Sequence, residues 1–174
     1  DWWVLRIDDN GTLLWDRVFG GSRFDESPGI YMDWDGFILT GRSDSPPSGN
    51  KTALERGSYD AWMVKIDFEG NKIWDKAFGG DDNEGGAGIS RAQDGGYMLS
   101  ITSRSGISGD KTTPDIGADD AWFVKVNSSF EFQWDKTIGT VHQDNLRALR
   151  AGGGGYILTG THTVEEAQPG GGII

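Results

Sequence analysis

An all-β fold assembled from repeated four-stranded units is predicted by three observations. The first is recurrence. Asp1-Trp2-Trp3-Val4-Leu5-Arg6-Ile7-Asp8 returns as Asp60-Ala61-Trp62-Met63-Val64-Lys65-Ile66-Asp67 and again as Asp120-Ala121-Trp122-Phe123-Val124-Lys125-Val126-Asn127. Each copy runs on to a second motif: Trp15-Asp16-Arg17-Val18-Phe19-Gly20-Gly21, Trp74-Asp75-Lys76-Ala77-Phe78-Gly79-Gly80, and Trp134-Asp135-Lys136-Thr137-Ile138-Gly139. A fixed period of about 60 residues marks a unit that buries its core against its neighbours. The second observation is pattern: short aromatic and β-branched runs are separated by glycine turns, and no segment keeps helical spacing over a helical length. The third is composition, with 28 glycines and 8 tryptophans in 174 residues. Glycine stands at about twice its usual share, as expected for many tight turns between short strands.

Within the middle of the chain the elements follow in order. Trp62–Ile66 reads as a strand ended by the turn Asp67-Phe68-Glu69-Gly70, and Lys72–Phe78 returns as its hairpin partner. After the acidic stretch Asp81–Glu84 comes a small-residue strand, Gly88–Ala92. The turn Asp94-Gly95-Gly96 leads into Tyr97–Thr102, and a long loop connects this to Trp122–Val126 and Phe132–Ile138. Four short strands per period match a β-propeller blade, with Gly88–Ala92 innermost, where small residues suit a crowded axis. The chain divides as a half blade (1–21), two blades (22–80 and 81–140), and a half blade with a Gly-rich tail (141–174). About three repeats form an open arc, whereas propellers close with about 4–8 blades. Closure is therefore expected to come from further blades of the same parent chain or from another copy.

Ile66 to Trp74, and Ile7 to Trp15, resemble the tryptophan-docking repeat of quinoprotein-type propellers, in which a Trp on the outer hairpin packs on the neighbouring blade. The third copy departs from it: Asn127 replaces Asp and Phe130 replaces the turn Gly, which leaves the tightness of that hairpin open. Over nearly the whole chain, Asp-x-Trp-x-Val-Lys-Ile-Asp, Trp-Asp-Lys-x-Phe-Gly-Gly, Asp-Gly-Gly-Tyr and Ser-Gly-Asp-Lys-Thr are similar to the repeats of exported Bacteroidota-type β-propeller proteins. That resemblance implies the outer surface of a bacterium, or secretion, more than it implies an activity.

The formal charge of -11 argues against nucleic acid and anionic membrane partners. No apolar run approaches the ~20 residues of a membrane span. The chain has no cysteine, hence no disulfide, thiolate nucleophile or thiolate metal site. With only His142 and His162, a histidine metal site or Ser-His-Asp triad has little material.

The in-register tryptophans Trp3, Trp62, Trp122, Trp15, Trp74 and Trp134 read as structural docking residues, because recurrence in every unit is the mark of packing. Trp2 and Trp34 do not recur and are the better candidates for exposed contacts. Asp16, Asp75 and Asp135, one residue past the docking Trp, are expected to pair with the following cation or with neighbouring amides. Asp25, Glu84 and Asp144 recur between units and read as solvated turn formers. Ser48-Gly49-Asn50-Lys51-Thr52 and Ser108-Gly109-Asp110-Lys111-Thr112 lack the phosphate-loop spacing and are followed by no helix. They belong to unusually long loops, which are either functional or specifically packed.

Up-and-down topology places both long loops and Asp81–Glu84 on one face and the short glycine turns on the other. The binding residues expected on the loop face are Ser48, Lys51, Ser108, Asp110, Lys111, Asp81, Asp82 and Glu84. No cofactor is predicted; Ca²⁺ is the ion that Asp81, Asp82 and Glu84 would hold if they converged with Asp110 and Asp115. The function expected is a non-catalytic surface scaffold or binding module with protein or glycan partners. The alternative is a fragment of a propeller enzyme acting on polysaccharide.

Overall fold

The computed structural model describes residues 1–86 and 88–163. Twelve strands and no helix are found among them, so none is long and apolar enough to cross a membrane as a helix. The strands form four antiparallel sheets in chain order. The first pairs β1 (Trp2–Ile7) with β2 (Leu13–Phe19). The second runs β3 (Asp25–Asp33), β4 (Gly36–Ser43), β5 (Asp60–Ile66), β6 (Lys72–Phe78). The third repeats that order with β7 (Gly88–Arg91), β8 (Tyr97–Ser103), β9 (Asp120–Val126) and β10 (Phe132–Ile138). The fourth pairs β11 (Asp144–Gly152) with β12 (Gly155–His162). Val164, Glu165, Glu166 and the Gly-rich tail lie outside the described residues.

The sheets pack face to face through three cores. Trp2 and Phe19 of the first sheet meet Leu39, Trp62, Val64 and Ile66 of the second. Ile38, Ala61, Met63 and Phe78 of the second meet Ile89, Leu99, Ile101, Trp122 and Val124 of the third. Met98, Ala121 and Phe123 of the third meet Leu149 of the fourth. Successive residues of a strand point to opposite faces. A strand clad on both sides therefore loses the apolar–polar alternation of a half-exposed one. That is why all seven residues of β5, β8 and β9 are buried.

Of the six expected docking tryptophans, Trp15 and Trp74 reach across to the next sheet, and Trp62 and Trp122 lie within the cores. Trp3 and Trp134 are exposed and, among the described residues, dock on no neighbouring sheet. Trp15 donates its indole N–H to the Phe68 carbonyl (3.1 Å), and Arg17 donates to that of Glu69, so β2 grips the β5–β6 turn of the next sheet. In the following joint Trp74 meets the Phe130 ring at 4.5 Å, and Lys76 donates to the Ser129 and Phe130 carbonyls. The third hairpin is as tight as its counterparts, with Phe130 N–H bonded to Asn127 O at 3.0 Å as Gly70 N–H is to Asp67 O at 3.2 Å. Phe130 is the one non-glycine residue with positive φ (56°) among the described residues. Its backbone strain, about 1–2 kcal/mol, is offset by a ring buried against Trp74 and Tyr97. Trp134 on β10 is 47% exposed and Trp3 on β1 is 68% exposed, whereas Trp62 and Trp122 are fully buried. Trp34 is exposed, while Trp2 is buried against Trp62 with ring centroids 4.3 Å apart.

Candidate functional site

The two long loops are specifically packed. Each turns at Ser-Gly, with Gly49 and Gly109 at φ 57° and 56°, and closes a bridge between Ser48 and Lys51 or Ser108 and Lys111. A Cβ on either glycine would strike a backbone carbonyl of the preceding unit, Gly20 O or Gly79 O. The turn docks there through its own backbone: Asn50 N–H donates to Gly20 O, and Asp110 N–H to Gly79 O at 2.8 Å. In return Gly20 N–H donates to Asn50 Oδ1 (2.9 Å) and Gly79 N–H to Asp110 Oδ2 (3.2 Å). Asn and Asp alternate at this position because either offers the oxygen that the glycine amide needs.

The threonine that follows fastens the loop to its own sheet. Asp75 accepts from Thr52 N–H and Ala53 N–H (both 2.8 Å), the Thr52 hydroxyl, Trp62 Nε1 (3.1 Å) and Lys72 Nζ (2.7 Å). Burial opposes ionisation of Asp75, but Lys72, Thr52 and the two amides outweigh it and hold the carboxyl far below its ordinary range. Asp135 repeats the arrangement with Thr112, Thr113 and Trp122 Nε1 (2.8 Å). The cation on Asp75 is thus Lys72, three residues before it, and not Lys76, which reaches the next sheet instead.

Lys51 and Lys111 are buried, and their ammonium groups donate to the Ser45 and Ser105 carbonyls. Burial lowers both pKa values, while the nearby carboxylates, Asp60 and Asp25 for Lys51 and Asp120 for Lys111, pull them back up. Asp25 and Glu84 are buried as well and do not behave as solvated turn formers. Glu84 accepts from Gly80 N–H (2.8 Å) and the Ser103 hydroxyl (2.7 Å); Asp25 accepts from Gly21 N–H (2.9 Å) and the Ser43 hydroxyl. Asp144 accepts from Thr140 N–H (2.6 Å) and pairs with His162. Asp60 faces Glu84 across Gly79, where a Cβ would collide with both carboxylates. Burial pushes the Asp60 carboxyl up to about 6, with the Arg56 amide opposing and the Glu84 charge adding.

The remaining expected site residues do converge on this joint, through hydroxyls and amides. The Ser108 hydroxyl donates to Asp81 at 2.7 Å and receives the Asp81 N–H; Asp82 N–H donates to the Ser105 hydroxyl; Ser48 likewise receives the Ser22 N–H. Asp110 pairs with Arg56 at 2.9 Å. No group of three or more His, Cys, Asp or Glu side chains is placed to hold a metal among the described residues.

A second feature carries no recurring motif. An open cleft of about 820 Å³ lies between β3, β7 and β11. Arg42 and Arg104, at the ends of β4 and β8, stand at the end of the strands from which the long loops leave. Arg42 pairs with Glu26 (2.8 Å) and lies over the Tyr59 ring at 4.8 Å. Arg104 binds Asp119 through two nitrogens, and Gln143 donates to the same carboxylate at 2.7 Å. Arg150 completes the set from β11, with Asn83, Asn145 and Tyr31 nearby. Sequence reasoning passed over these arginines because they sit in no local motif; their failure to recur was the signal available.

No protein-family model and no curated protein matches this chain.

Proposed function

We propose that the four sheets are blades and half blades of a β-propeller, and that the chain is a rigid, non-catalytic scaffold and binding module on the outer surface of a bacterium, with protein or glycan partners. The observation that carries this reading is the joint itself. Gly-Gly, the Ser-Gly-Asn/Asp-Lys-Thr turn, a buried lysine and a capping Asp recur one period apart and hold the second sheet to the first and the third to the second. The polar residues most suggestive of chemistry in the sequence are thereby engaged in holding the scaffold. The cleft, which runs between the sheets and reaches the loop end at Arg42 and Arg104, is the surface that such a scaffold would present, as recognition usually sits on the variable parts of a rigid frame. Export accords with the resemblance of the repeats to those of Bacteroidota-type surface proteins.

Incubation with a panel of polysaccharides tests the non-catalytic reading. Unchanged polymers are expected, and new reducing ends or unsaturated products would overturn it. Melting curves in millimolar calcium and in chelator are expected to superimpose, because Glu84 is committed to Gly80 and Ser103. A calcium-dependent rise in Tm would instead assign an ion to this face.

A further inference from the structure

Recurrence separates the two kinds of polar residue in this chain. Those that repeat hold the joints together; the arginines of the cleft do not repeat. Where Arg42 stands opposite Ala61, the next sheet has Thr102 opposite Ala121. Arg104 corresponds to Asp44, and Arg150 to Ser90 and Tyr31. The fold is thus built at these positions without arginine. Stability does not explain them either, because the Arg42 and Arg104 side chains are 38% and 45% exposed, and exposed ion pairs contribute about 0–1 kcal/mol. Both guanidinium groups are nonetheless held in place, Arg42 by Glu26 and the Tyr59 ring, Arg104 by both oxygens of Asp119.

We propose that this cleft binds a short acidic oligosaccharide. Three arginines against Glu26 and Asp119 leave a local excess of one positive charge in a chain of formal charge -11. Guanidinium–carboxylate pairs offer donors and acceptors side by side, which suits neighbouring sugar hydroxyls. The uncompensated arginine suits a sugar carboxylate, which a guanidinium fork can grip with two parallel bonds. Asn83 and Asn145 add amides of both kinds, while the exposed Ile30 supplies apolar surface for a ring face. The volume lies within the range of small-molecule sites, about 300–1,000 Å³. A peptide added as an extra strand fits less well. The register of β3 shifts between Glu26 and Gly29 and that of β11 between Leu146 and Ala148, and β7 has four residues; bulged and short edges resist strand pairing.

This inference rests on the binding-module reading, and its test is independent of whether that scaffold is sound. Isothermal titration of the whole chain would use tetragalacturonate, with cellotetraose as neutral analogue and hexaglutamate as acidic peptide. Tetragalacturonate is expected to bind and the other two at least tenfold more weakly. Arg150→Gln, Arg42→Gln and Arg104→Gln should each weaken it about tenfold, the scale of one charge-assisted contact. Arg23→Gln, outside the cleft, should change nothing, and Tm should stay constant throughout. Absence of tetragalacturonate binding, equal binding of hexaglutamate, or equal Kd values for the Arg104→Gln and Arg23→Gln variants would each overturn the proposal. With Tm unchanged, such a failure would leave the scaffold reading standing.

Discussion

Trp62 and Trp3 hold the same place in the repeat and make the same bond: each indole N–H donates to the aspartate of the partner strand, Trp62 to Asp75 at 3.1 Å and Trp3 to Asp16 at 3.2 Å. Yet Trp62 is fully buried and Trp3 is 68% exposed. What differs is the surroundings. Trp62 lies opposite Gly41 of β4, with the Lys51 ammonium over its ring at 5.9 Å. β1 pairs with β2 alone among the described strands. The hairpin sets the position of the tryptophan; the adjoining strand and the long loop bury it. Recurrence in sequence is therefore a statement about position, and energetic weight depends on how much of the unit surrounds it.

The largest effect should break this pair apart directly. Trp62→Ala is expected to cost about 3–5 kcal/mol, the range for truncating a buried aromatic, and Trp3→Ala under about 1 kcal/mol. Denaturant midpoints measure both, and equal losses would refute the difference. The same logic applies between sheets, where Trp74 packs on Phe130 and Trp34 packs in no core: Trp74→Ala should lower the midpoint far more than Trp34→Ala.

Next come the aspartates beneath those indoles. Asp75→Asn weakens a network of five donors and should cost about 2–3 kcal/mol, while Asp16→Asn should be nearly neutral. Because the folded state holds the Asp75 carboxyl below its ordinary range, the stability it supplies is present above about pH 4 and is lost as pH falls below that. Asp75→Asn should flatten that acid limb in unfolding curves taken across pH.

Asp60 has the opposite sign. Its pKa is raised to about 6, so its contribution is complete below about pH 4 and is lost as pH climbs through 6. The wild type should lose on the order of 2 kcal/mol across that window from this group, and Asp60→Asn should remove that slope. A parallel pH dependence in the variant would show that the carboxyl ionises freely. The smallest effect belongs to the turn. Phe130→Gly relieves a positive φ but removes a ring buried against Trp74 and Tyr97, so a net loss of about 1–2 kcal/mol is expected.

The sequence made the strands legible wherever a turn glycine and an aromatic run coincided, as at Lys72–Phe78, whose bounds the structure repeats. The small-residue strand expected over Gly88–Ala92 ends at Arg91, and β9 starts two residues early at Asp120, because strand ends depend on pairing that local pattern does not encode. Glu84 and Lys111 were legible as recurring residues but not as buried ones. Charged side chains are almost never fully buried unless paired, and their partners come from the Gly-Gly segment, the serines and the loop carbonyls, some of them in another unit. The cleft arginines were the least legible, since three sheets bring them together and no single stretch of chain does.

The docking of each long loop onto the Gly-Gly of the unit before it gives the joint a polarity. The 22–80 repeat carries both a plug, the Ser48-Gly49-Asn50-Lys51-Thr52 turn, and a socket, its own Gly79-Gly80, so a duplicate of that segment of about 60 residues would arrive with both halves of the lock. Copy number can then grow or shrink by recombination between repeats without any new contact having to be invented. The glycines become the residues that such exchange can least afford to alter, because a side chain at Gly20 or Gly79 would jam every socket that inherits it.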